Sequence, residues 1–124
     1  MTASPTLLLN DGHALPALGF GTWPLDDAAA EQAVACAIQT GYRLIDTAAR
    51  YGNETGVGRG LQQSGVPRGD LFLTSKLRGT DHGYGPALKA LDATLARLDT
   101  DYLDLFLIHW PQLTRDNYVD AWRA

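Results

Sequence analysis

The 124 residues suit one ordinary domain, long enough to bury a core, yet only about half of the roughly 250 that a closed eight-stranded β/α barrel uses. Hydrophobic residues at 45% against 19% charged exclude a disordered chain, and a net charge of −4 with no run of Lys or Arg excludes attraction to nucleic acid or an anionic membrane surface. The single Cys36 cannot form an internal disulfide, and Met1-Thr2-Ala3-Ser4-Pro5 has neither the basic nor the apolar region of a secretory signal, so a reduced, cytoplasmic setting is expected.

In chain order, Thr6-Leu7-Leu8-Leu9, the turn Asn10-Asp11-Gly12 and Ala14-Leu15 predict a short hairpin. Leu18-Gly19-Phe20-Gly21-Thr22-Trp23 is a candidate first barrel strand, with glycines that let the backbone approach a ligand or another strand. Asp26 or Asp27 can cap a helix running to about Thr40, with Ala30, Val34, Ala37 and Ile38 on one stripe and Gly41 as its stop. Cys36 lies inside this helix and reads as a small buried residue. Arg43 to Asp46 predicts a strand, Asn53 to Gln63 a glycine-interrupted helix, and Leu71 to Ser75 another strand. Pro86 suits the first turn of a helix carrying Leu88, Leu91, Leu95 and Leu98. Leu103 to Ile108, interrupted only by Asp104, reads as the clearest buried strand, and Asp116 or Asn117 opens a last helix.

Strands beginning near residues 18, 43, 71 and 103, each followed by a helix, have the size and order of successive βαβ units. A parallel α/β architecture follows, with no internal repeat, no low-complexity linker and no membrane-length apolar run. In such folds ligands gather at the carboxyl ends of the strands. Asp46 ends the second apolar run with Tyr51 in the loop beyond, Ser75-Lys76 ends the third, and His109-Trp110-Pro111 ends the fourth. Each has an ordinary alternative: Asp46 as a cap or turn residue, Tyr51 as packing, Lys76 as a solvated charge, His109 as a satisfied core histidine.

Together they have a chemical logic. Reducing a carbonyl requires a hydride on carbon and a proton on oxygen, so the protein must supply an acid and an oxyanion-stabilising group. Tyr51 can be that acid. A free phenol titrates at about 10, so a cation that favours the phenolate helps it give up its proton near neutral pH. Lys76 can be that cation, Asp46 can hold Lys76 in place, and His109 can hydrogen-bond the substrate oxygen. No side chain donates hydride, so a cofactor must.

These residues lie in segments that resemble the aldo-keto reductase family. Pro16-Ala17-Leu18-Gly19-Phe20-Gly21-Thr22-Trp23 is similar to the family's opening segment, and Gly41 through Glu54, containing Asp46-Thr47-Ala48-Ala49-Arg50-Tyr51, to its first signature. Leu73-Thr74-Ser75-Lys76-Leu77 resembles the segment with the family's lysine, and Asp101 through Pro111 the segment with its histidine. The likeness is collinear over nearly the whole chain. It implies a catalytic tetrad of Asp46, Tyr51, Lys76 and His109 with Tyr51 as general acid. It further implies NADPH as the usual hydride donor with NADH an alternative, a small carbonyl compound as substrate, and no metal. By the same resemblance Gly21, Thr22, Trp23 and Asp46 fall at the nicotinamide end of the cofactor, and Trp23, Tyr51, His109 and Trp110 line the substrate pocket. Asp81-His82-Gly83-Tyr84 is similar to the bacterial branch that includes diketogluconate reductases, while Arg78 stands where many relatives have an aromatic or small polar residue.

The implied fold is a parallel (β/α)8 TIM barrel, of which residues 1–124 hold about the first four β/α units behind an N-terminal hairpin. On that reading the chain is a fragment, expected to be inactive or only partly folded alone. The alternatives are an NADP(H)-binding regulatory module without catalysis and a half-barrel that rebuilds the ring by dimerising. A Rossmann reductase is disfavoured because Gly56-Val57-Gly58-Arg59-Gly60 has the wrong place and spacing for a phosphate loop. A metal hydrolase using His13, His82 and His109 is disfavoured because no metal-ligand spacing occurs.

Overall fold

The structure, a computed structural model, describes residues 5–111, 113, 114 and 117–124. An antiparallel hairpin, β1 (Thr6–Leu8) and β2 (Ala14–Pro16), precedes four parallel strands: β3 (Gly19–Gly21), β4 (Leu44–Asp46), β5 (Phe72–Leu77) and β6 (Leu105–Ile108). The strands lie in sequence order, β3-β4-β5-β6, with α1 (Asp27–Gln39), α2 (Glu54–Gln63) and α3 (Tyr84–Leu98) as the crossovers and α4 (Tyr118–Arg123) after β6. Sequential parallel strands, each joined to the next through a helix, form the repeating unit of a β/α barrel.

Strand alternation decides what faces where. Ile45, Leu73 and Ser75 have no exposed surface, and Ile45 and Leu73 pack with Ala30, Val34 and Ile38 of α1, Val57 and Leu61 of α2, and Leu98 of α3. The other face of the sheet carries Asp46, paired in register with Thr74, and Lys76 two residues further along β5. The register thus sets Asp46 and Lys76 on one face and sends Ser75, the residue before Lys76, to the helices.

Asp26 is the cap of α1, its carboxylate accepting from Ala29 N at 2.8 Å, while Asp27 reaches across to accept from Gly56 N at 2.6 Å in the first turn of α2. The glycines of α2 are packing residues. A Cβ at Gly56 would lie 2.0 Å from Asp27 O, one at Gly58 2.6 Å from Leu98 O, and one at Gly60 2.6 Å from Glu31 O. The absent side chains let α1 and α3 approach α2 backbone to backbone.

Three expectations are corrected. Cys36 is exposed, because at 3.6 residues per turn it lies about 200° from both Val34 and Ile38, whose stripe faces the core. β6 is only half-buried, and Leu107 is exposed, because this strand has β5 on one side and no paired strand among the described residues on the other. β5 runs on to Leu77 because Lys76 and Leu77 gain ladder partners in Leu107 and Ile108, so Lys76 is a strand residue. α3 starts at Tyr84, with Pro86 still in the first turn where its missing N–H costs nothing, and Asn117 precedes α4 while Asp116 lies outside the described residues.

Candidate active site

The site forms where β3, β4, β5 and β6 end. Beyond β4 the chain passes through Thr47 and Ala48 into a 3-10 turn, Ala49–Tyr51, and leaves it at Gly52, whose φ of 70° is in the left-handed region that favours glycine. That turn brings Tyr51 back over the sheet. The Lys76 ammonium donates to Asp46 Oδ2 at 2.7 Å, to Thr47 O at 2.9 Å and to Tyr51 Oη at 3.3 Å. An ammonium has three N–H donors, and all three have acceptors here. Since Lys76 occupies one lone pair of the phenol oxygen as donor, the phenol's own hydrogen must point elsewhere.

His109 follows Ile108, and its backbone N–H donates to Leu77 O at 2.9 Å, so the β5–β6 ladder itself carries the ring to the site. The imidazole meets Tyr51 edge-on at 5.9 Å between ring centroids. Burial, and then the positive charges of Lys76 and Arg50, hold His109 below the usual imidazole pKa, with Asp46 opposing. The ring is therefore neutral near pH 7 and carries one N–H. Its Nδ1 is buried without a hydrogen-bond partner among the described residues, which separates His109 from a satisfied core histidine.

Trp23 lies 5.4 Å from the Tyr51 ring and Trp110 stacks on His109 at 6.4 Å. Both tryptophans are largely exposed, and Trp110 has a φ of 57°, a left-handed backbone that costs a non-glycine residue about 1 kcal/mol. Trp23, Arg50, Tyr51, His109 and Trp110 line an open cleft of about 340 Å³. A larger hollow of about 560 Å³, lined among others by Gly58, Leu61, Leu95 and Leu98, sits at the amino ends of the strands. It contains none of these groups, so size does not locate the chemistry.

Beneath the cleft is a polar knot of three residues with no exposed surface, Thr22, Thr47 and Asn53. The Asn53 amide donates to Thr22 O and Leu25 O, both at 2.9 Å, and its carbonyl oxygen accepts from Thr47 Oγ1 at 3.1 Å. Thr22 Oγ1 donates to Thr47 Oγ1 at 3.0 Å. The knot ties the loop carrying Trp23 to the end of β4 that carries Asp46. Thr22 is thereby fully engaged within the protein, whereas Gly21, in register with Asp46, has open space where a Cβ would stand.

The structure thus brings Trp23, Asp46, Tyr51, Lys76, His109 and Trp110 together and places Gly21 beside them. Arg78 instead pairs with Asp81 at 2.9 Å, within its own turn. Asn53, Thr47 and Arg50 also belong to the site, although sequence reasoning alone does not single them out. For Arg50 a signal exists, a charge directly before Tyr51 in an otherwise small, apolar stretch.

Known proteins resemble this chain over nearly its whole length. The chain is 54% identical over 120 residues to an aldo-keto reductase of Mycolicibacterium vanbaalenii, covering 97% of this chain and 43% of that protein. A crystal structure of an aldo/keto reductase from Brucella melitensis superposes with a TM-score of 0.95 at 50% identity, covering 98% of this chain and 48% of that one. A Bombyx mori aldo-keto reductase in complex with NADP does so with a TM-score of 0.88 at 35% identity, covering 99% and 46%. The chain therefore spans somewhat under half the length of these relatives, whose fold is the TIM barrel. Residues 17–124 match the aldo/keto reductase family, and the chain belongs to that family.

Proposed function

We infer that the chain supplies the catalytic corner of a reductase that turns aldehydes or ketones into alcohols with NADPH. The observation that carries this reading is the Lys76 ammonium lying 2.7 Å from Asp46 and 3.3 Å from the Tyr51 hydroxyl, in a cleft walled by Trp23, His109 and Trp110. When bound, the cofactor would supply the hydride. Gly21, which has open space where a Cβ would stand, Asp46 and Trp23 would hold its nicotinamide end, and Thr22 fixes that loop through its bond to Thr47.

The protein's part is proton placement and orientation. Tyr51 gives its proton to the carbonyl oxygen as negative charge develops there, and Lys76 stabilises the phenolate oxygen that remains. Asp46 accepts from the Lys76 ammonium and aims it, and Thr47 O holds the third ammonium hydrogen so that Nζ cannot swing away. Neutral His109 donates one N–H to the substrate oxygen and fixes its angle; a charged imidazolium there would compete with Tyr51 as acid. The two tryptophans flank the reacting atoms, Trp23 beside the Tyr51 ring and Trp110 against His109.

Fluorescence titration with NADPH tests this reading, performed on the 124-residue chain and on the same chain joined to the remaining length of the M. vanbaalenii relative. Saturable binding by the joined protein is expected. Absence of binding by both proteins, each shown to be folded, would remove the reductase reading.

A further inference from the structure

Among the described residues, every arginine except one is tied to an acceptor. Arg43 donates to Ile38 O and Tyr42 O, Arg59 to Glu31, Arg68 to Asp104, Arg78 to Asp81, Arg97 to Glu54 and Arg123 to Asp120. Arg50 alone has no hydrogen-bond or ion-pair partner among them, and it lines the cleft. It stands next to Tyr51 on the 3-10 turn, so the backbone that fixes the tyrosine fixes the origin of this side chain as well.

The charge balance of the cleft points the same way. Of its lining residues, Trp23, Tyr51 and Trp110 are uncharged and His109 is neutral near pH 7, which leaves the Arg50 guanidinium as the one formal charge. Behind it, Lys76 and Asp46 cancel as a pair. Among the described residues, a chain with a net charge of −4 therefore presents one uncompensated cation in the lining of this cleft. Guanidinium is planar and offers two parallel N–H donors, a geometry matched by a carboxylate. The tryptophan walls take an apolar body between the two polar ends.

We propose that Arg50 selects carbonyl substrates that carry a carboxylate, holding the acid group while the aldehyde or ketone oxygen lies against Tyr51 and His109. This rests on the reductase reading and names its substrate class. The carboxylate binds without chemistry, and no bond to it forms or breaks. Because Arg50 is exposed, its attraction is screened by salt.

The test compares kcat/KM for two four-carbon aldehydes, 4-oxobutanoate and butanal, in the chain joined to the remaining length of its M. vanbaalenii relative, with Arg50, Arg50→Gln and Arg50→Lys. The expected result is a preference for 4-oxobutanoate that falls about tenfold in Arg50→Gln, the scale of one charge-assisted hydrogen bond in a partly open site. Arg50→Lys keeps part of the preference, and the Arg50 protein loses part of it on raising the salt from about 0.05 to about 0.5 M. A preference within about twofold of the original in Arg50→Gln overturns the proposal. So does weakened NADPH binding in Arg50→Gln with the preference intact, which would give the arginine to a cofactor phosphate. Turnover of neither aldehyde by any of the three proteins, with NADPH bound, would instead defeat the reductase reading and the selection with it.

Discussion

Tyr51→Phe is expected to lower kcat for aldehyde reduction by about 10²- to 10⁴-fold, the range that a positioned general acid contributes, while the Kd for NADPH changes by less than about threefold. The substitution removes one oxygen and its proton and leaves the ring against Trp23 and His109. Lys76 loses the longest of its three hydrogen bonds and keeps Asp46 and Thr47 O, so the site should hold its shape. Steady-state kinetics with a fluorescence titration separates the two effects. Retained turnover with lost cofactor binding would assign Tyr51 to the cofactor and not to the proton.

Gly56→Ala is expected to destabilise the fold by about 2–3 kcal/mol or more, although alanine is the better helix former. Two effects of opposite sign compete. Helix propensity favours alanine by about 1 kcal/mol in a helix interior, and less in the first turn where Gly56 sits. Against it, the new Cβ would stand 2.0 Å from Asp27 O and 2.6 Å from its Cα, backbone atoms that cannot rotate away. α1 would have to shift, stretching the 2.6 Å bond from Gly56 N to Asp27 Oδ1 and opening the Val34, Ile38, Val57 and Leu61 packing behind it. Overpacking of a close contact costs about 1–3 kcal/mol, occasionally more. Urea denaturation reads the outcome; a stability equal to or above the parent's would mean that backbone contact at Gly56 does not set the separation of α1 and α2.

Much of the fold is written locally. Short apolar runs at Phe20, Ile45, Leu73 and Phe106 alternate with helical stripes, and their spacing leaves little besides a parallel β/α arrangement. The polar residues that close those runs, Asp46, Lys76 and His109, can be read as a site because parallel strands put their carboxyl ends on one rim. What escapes a linear reading depends on register and on neighbours. That Ser75 turns to the helices and donates to buried Glu54 at 2.6 Å, while Lys76 turns to the cleft, follows only once Asp46 is paired with Thr74. Glu54 reads as an ordinary first-turn acid, yet it is buried against Ser75, Thr94 and Arg97 from two other elements. The glycines of α2 look like a weakness in a helix until α1 and α3 are set against them. Asn53 looks like a helix cap, but its side chain makes the knot under the cleft and no capping bond. The exposure of Cys36 is hard to read in one dimension because a helix with many alanines has a poorly defined apolar stripe.

The decisive measurement is the fate of deuterium from NADPH labelled at the transferable C4 position, incubated with the joined protein and 4-oxobutanoate in ordinary water. Hydride transfer with Tyr51 as acid predicts a product alcohol with one deuterium on the former carbonyl carbon and a hydroxyl hydrogen from solvent, formed rapidly with Tyr51 and about 10²- to 10⁴-fold more slowly with phenylalanine in its place. An alcohol without deuterium, or equal rates from both proteins, would contradict hydride delivery to a carbonyl whose oxygen is protonated by Tyr51.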